Sequence, residues 1–85
     1  MNRAAIIAVI LENPKLNQRA LNDAVSEYGD MIRGRMGIPF EEAGVALISM
    51  TVVAELDRIN AFTGRLGKLG GVTVKASIAK ESVQL

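Results

Sequence analysis

Residues 33–37 read Arg-Gly-Arg-Met-Gly. This is the one cluster in the chain whose residue types suggest ligand chemistry. Gly34 and Gly37 would let a ligand or a neighbouring backbone approach closely, and Arg33 and Arg35 would hold an anion, with Met36 between them. The cluster is not a phosphate loop: it lacks the Gly-x-Gly-x-x-Gly spacing and does not lead directly into a helix. The structural alternative is a bulged edge strand whose arginines form a solvated face, since charge on an edge discourages edge-to-edge association. Between the two, the structural reading carries more weight.

No catalytic constellation accompanies this cluster. The chain has 85 residues and contains neither His nor Cys. The commonest general base and the strongest nucleophile are therefore missing, as are the usual zinc, nickel and copper ligands and any disulfide. The carboxylates Asp23, Asp30, Glu41, Glu42, Glu55 and Asp57 fall mostly at predicted helix ends and turns, where acids are solvated or capping. No calcium-loop spacing occurs. The chain reads as a non-enzyme that calls for no cofactor and no metal. Tyr28 is expected to pack at the end of the first helix.

The elements that position these residues follow from periodicity. Residues 4–11, AAIIAVIL, form a continuous apolar run that predicts a strand buried on both faces. Asn13-Pro14 signals a helix start, with Asn as N-cap and Pro in the first turn. Leu16, Ala20, Leu21, Ala24, Val25 and Tyr28 recur at helical spacing, and Gly29 is the stop, which gives a helix over about 14–28. Met31 to Ile38 alternates, with Ile32, Gly34, Met36 and Ile38 on one side and Met31, Arg33, Arg35 and Gly37 on the other. Pro39 ends that strand or puts it at an edge. Val45 to Val53 is a second doubly apolar strand. A helix from Glu55 to Gly67 buries Leu56, Ile59, Phe62, Thr63 and Leu66, and Gly64 in its interior suggests close approach to the sheet. Gly70-Gly71 makes a turn into an alternating strand from Val72 to Ala79, with Val72, Val74, Ala76 and Ile78 inward.

The order is β-α-β-β-α-β, an α+β ferredoxin-like sandwich with a four-stranded antiparallel sheet in the order 4-1-3-2 and two helices on one face. The doubly apolar first and third strands are the central pair, which agrees with this topology. Residues 1–80 are one domain, and 81–85 a mobile tail.

Such a sheet has one open face. Apolar residues from both central strands must lie on it: Ala5, Ile7 and Val9, or their neighbours, together with Val45 and Leu47. A patch of that kind is expected to be covered by a second copy of the chain, as a dimer or tetramer joined through the open face or the edge strands. A domain this small is marginally stable alone, which points the same way. The net charge of +1 calls for no polyanion. The central strands carry no aromatic for base stacking, so nucleic-acid binding by this chain alone is disfavoured. Arg33, Arg35 and Lys75 as phosphate contacts of a preformed oligomer are a weaker idea. The longest apolar run is far too short to cross a bilayer and fits no signal peptide, so a cytoplasmic protein is expected.

Two stretches carry a family resemblance, YGDMIRGRMGIPFEEAGVALISMTV over 28–52 and AFTGRLGKLGGVTVKAS over 61–77. Their most specific pieces are Tyr28-Gly29-Asp30, Gly34 to Pro39, Thr63 to Gly67 and Gly71 to Lys75. The chain resembles the iron-only hydrogenase system regulators, small bacterial proteins with an ACT-like, ferredoxin-like fold. Gly70 departs from that family's pattern, which tends to have Pro there. The resemblance implies a cytoplasmic regulator associated with iron-only hydrogenases, and a homo-oligomer that takes a small anionic or amino-acid effector near subunit interfaces. Alternatives are an interaction module that takes a protein partner without a ligand, or a DNA-associated transcriptional regulator. The related nickel-responsive repressor domain binds nickel through His and Cys, so nickel sensing does not carry over.

Overall fold

The computed structural model describes residues 1–84. Strand β1 spans Asn2–Glu12, helix α1 Pro14–Ser26, β2 Ile32–Phe40, β3 Val45–Glu55, α2 Leu56–Gly67 and β4 Val72–Ile78. The four strands form one antiparallel sheet in the order β2-β3-β1-β4, the predicted order read from the other edge. Three-residue 3-10 turns, Gly29–Met31 and Glu41–Ala43, lead into and out of β2.

The core follows from strand parity. Ala5, Ile7, Val9 and Leu11 of β1 lie beside Val52, Met50, Ile48 and Ala46 of β3, and all but Ala46 are fully buried. Leu21, Ala24 and Val25 of α1 and Ile59, Phe62 and Leu66 of α2 close over them. Tyr28 stacks on Phe62 with ring centroids 4.9 Å apart. Val72, Val74 and Ile78 of β4 pack against the same cluster, on the inward side expected for them. Ala5, Ile7 and Val9 therefore face the helices, and their neighbours Ala4, Ile6, Ala8 and Ile10 take the open face. A run apolar at every position could not say which parity was which.

Several local expectations are corrected. Asn13 does precede α1, but its side chain makes no cap; it adopts a left-handed conformation (φ 46°). Asn tolerates that region better than most residues. The backbone serves instead: Asn13 N–H donates to Gly44 O at 2.9 Å, and its carbonyl accepts from Leu16 and Asn17. Helix α1 ends at Ser26, and Gly29 opens a 3-10 turn rather than stopping the helix. Leu16, Ala20 and Leu56 are exposed, so the inner faces are narrower than the periodicity suggests. Gly64 does not approach the sheet: a Cβ there would meet nothing within 4 Å.

Gly71 is the glycine that packing requires. Its φ is +73°, and a Cβ would collide with the Asn17 amide and come within 3.0 Å of Glu12 O. Glu12 N–H donates to Gly71 O at 2.7 Å, and Asn17 Nδ2 donates to Glu12 O at 2.8 Å. This knot joins the end of β1, the start of α1 and the turn before β4. Beyond β4, Val83 N–H donates to Asn2 O at 2.8 Å.

Candidate functional site: the open face of the sheet

The residues of even parity on β1 define the open face. Reading across from β2 to β4, one row holds Ile38, Leu47, Ile10 and Thr73. The next holds Met36, Ser49, Ala8 and Lys75, and the next Gly34, Thr51, Ile6 and Ser77. On the other side of the first row, Phe40, Val45 and Glu12 form a further row. No described residue shields the large side chains here. Met36 is 61% exposed, Ile6 54%, Ile38 48%, Ile10 and Leu47 44%, and Phe40 37%. Val53 shares this parity and is buried, but it lies outside the core cluster.

The face is unevenly divided. Its apolar side chains gather on β2, β3 and β1, toward the end where β2 turns into β3. Strand β4 contributes Thr73, Lys75 and Ser77, and no large apolar group. A protein that leaves six large hydrophobic side chains on one flat surface presents the kind of patch that marks an interaction site.

Strand β2 does not keep its alternation. The register with β3 slips between Ile32 and Gly34, so Arg33 is an extra residue opposite no partner. This is the bulge expected of a glycine-containing edge strand. It also reverses the parity of the later residues relative to Ile32. Arg35 and Gly37 come opposite Met50 and Ile48 on the helix side, whereas Gly34, Met36 and Ile38 reach the open face. Gly34 and Met36 of the predicted cluster thus lie on the open face and Arg35 and Gly37 on the helix side, while Arg33 sits at the bulge itself. Arg35 donates from Nη2 to Asn22 Oδ1 of α1 at 2.8 Å. Arg33 is exposed at the bulge, and its side chain makes no hydrogen bond or ion pair to another described residue. Gly37 places its missing Cβ 3.5 Å from Ile48, an ordinary contact distance.

Two ion pairs that the sequence did not announce fasten the helical layer. Arg58 of α2 grips Asp30 with two hydrogen bonds of 2.5 and 2.7 Å, and its guanidinium lies 5.6 Å from the centre of the Tyr28 ring. The Arg58 hydrogen bond, aided by its charge, holds the Asp30 carboxyl below its ordinary pKa. Arg65 pairs with Glu27 at 3.0 and 3.3 Å, which raises the Arg65 pKa. The partners are 28 and 38 residues apart in the chain, so no local spacing could have revealed them.

Two clefts open elsewhere. One of about 590 Å³ lies beside the start of α2 and is lined by Asp30, Glu55, Asp57 and Arg58 among others. The other, about 450 Å³, lies between the start of α1 and the end of β2, beside Lys15, Gln18 and Pro39. Neither gathers a nucleophile with a base. Among the described residues, no three acidic, His or Cys side chains group as a metal site. No helix among them is long and apolar enough to cross a membrane.

Comparison with known proteins places this fold. No curated protein matches the chain. Among solved structures, that of the uncharacterized protein TM1266 from Thermotoga maritima is similar, with a TM-score of 0.89 and 29% sequence identity, covering 94% of this chain and all of the other. The matching family model covers residues 3–76, from the second residue of β1 to the fifth of β4. That span holds both helices, the β2 bulge and almost all of the open face, and the chain belongs to the TM1266-like, iron-only hydrogenase system regulator family.

Proposed function

We propose that this chain is a small, non-catalytic, cytoplasmic regulator of the iron-only hydrogenase system that works as a homo-oligomer, its subunits joined through the open face of the sheet. The regulatory part rests on the family's description. The oligomeric part rests on one observation: Ile6, Ile10, Met36, Ile38, Phe40 and Leu47 stand exposed on a single face. The size of that face fits. Four strands spaced ~4.8 Å apart and roughly seven to eleven residues long give a footprint of about 500–600 Å². Two such faces together approach the ~1,200 Å² lower bound of stable specific interfaces. Sedimentation velocity across micromolar concentrations tests this, and a monomer throughout would overturn it.

In the same reading, the oligomer takes a small anionic or amino-acid effector beside the Arg33–Gly37 strand, and binding biases the subunit arrangement that a partner reads. Arg33 is the cation free to hold such a ligand, because Arg35 already engages Asn22. Gly34 and Met36 would meet the ligand on the open face, and Gly37 and Arg35 on the other. Thermal shift against a panel of amino acids and small carboxylates is the test. A ligand whose stabilisation survives both Arg33→Ala and Arg35→Ala would remove these residues from the site.

A further inference from the structure

We propose that the two copies meet about an axis passing close to Leu47, with the β2–β3–β1 half of the open face at the centre of the contact and β4 at its rim. This rests on the self-association proposed above and adds which part of the face makes it. The row Ile38, Leu47, Ile10 is apolar across three strands, and the adjoining positions Phe40, Val45 and Met36 continue it. The next strand breaks it with Thr73, Lys75 and Ser77. Interface centres are depleted in charge and their rims are polar, which assigns the two halves.

Symmetry supplies the rest. A pair of identical chains in closed association shares one patch, mapped onto itself by a two-fold axis. For the apolar half to cover its own copy, the axis must run near the patch centre, in the plane between the two sheets. Leu47 is that centre, with Ile38 beside it on β2 and Ile10 on β1. An axis along the strands sets Ile38 over Ile10 of the other copy; an axis across them sets each over itself. Both place Leu47 against Leu47. Both also keep Lys75 away from the centre, where burial of an unpaired ammonium would be costly. The charges on this face, Glu12 at the end of β1 and Lys75 on β4, lie at the margins of the patch, and two such faces approach the area a stable pair needs, which favours a second copy as the occupant.

The absence of cysteine makes the test clean, since every thiol is one that has been introduced. Leu47→Cys and Ser77→Cys are each labelled with pyrene maleimide, and excimer emission is recorded alongside sedimentation. Because a bulky label could force the contact apart, Leu47→Arg and Ser77→Arg are sedimented unlabelled as well. The expected result is excimer emission at position 47 and not at 77, with Leu47→Arg shifting the oligomer toward smaller species at least tenfold more than Ser77→Arg. An oligomer that gives excimer only at 77, or that dissociates with Ser77→Arg and not Leu47→Arg, overturns the placement while leaving self-association standing. An oligomer insensitive to both positions shows that the copies meet elsewhere, or that the face serves another protein. A wild-type monomer overturns the underlying reading as well.

Discussion

The same chemical change, Gly to Ala, should have opposite effects at two glycines seven residues apart. Gly64 sits in the interior of α2, exposed, and a Cβ there meets no atom within 4 Å. Ala loses less backbone freedom on folding, so Gly64→Ala should stabilise by about 0.5–1 kcal/mol. For a domain of this size that is a rise in Tm of roughly 2–8 °C. Gly71 has φ +73°, and its Cβ would collide with the Asn17 amide and press on Glu12 O. The left-handed conformation costs a β-carbon about 1–2 kcal/mol. Displacing Asn17 breaks its hydrogen bond to Glu12, about 1 kcal/mol more. Gly71→Ala should therefore lower stability by about 2–3 kcal/mol, or Tm by roughly 10–20 °C. Urea denaturation and calorimetry of both variants provide the assay. A loss of stability at Gly64 would refute the reasoning, because it would mean that something lies against the outer side of α2. Tolerance at Gly71 would refute the claim that the Glu12–Asn17–Gly71 knot is closely packed.

Phe62→Ala should cost about 3–5 kcal/mol in urea denaturation, because Phe62 is fully buried between the helices and the sheet and supports Tyr28. That is most of what a domain this small has, so a folded variant with unchanged midpoint would contradict this core. Asp30 should contribute to acid sensitivity. The Arg58 hydrogen bond lowers its folded-state pKa, so the stabilisation is present above the ordinary carboxylate value and is lost as pH falls through the depressed one. Thermal melts of wild type and Asp30→Asn should differ at neutral pH and converge in acid; a constant gap would rule the pair out as the cause. Arg35→Ala removes one exposed hydrogen bond to Asn22 and should change stability by less than about 0.5 kcal/mol, measured by urea denaturation.

Local pattern determined most of the architecture. The alternation over Val72–Ile78, the Pro14 start of α1 and the apolar runs of β1 and β3 were enough for element order, because backbone periodicity is a property of neighbouring residues. The doubly apolar central strands even indicated which strands were interior. What the tertiary structure decided was direction and distance. One extra residue at Arg33 put Arg35 on the same side as Ile32, beside Asn22, and sent Met36 and Ile38 to the other, since strand side chains alternate with period two and a bulge inverts every later position. The continuous run of β1 could not say that Ile6 and Ile10 face outward until the helices chose Ile7 and Val9. Asp30 and Arg58 are unremarkable in sequence and joined only because the turn before β2 packs beside α2. The exposed apolar patch on the central strands and the polar outer side of β4 could be inferred from the sequence, but the addition of Met36 and Ile38 from β2 depended on register, which is set by pairing between segments distant in the chain.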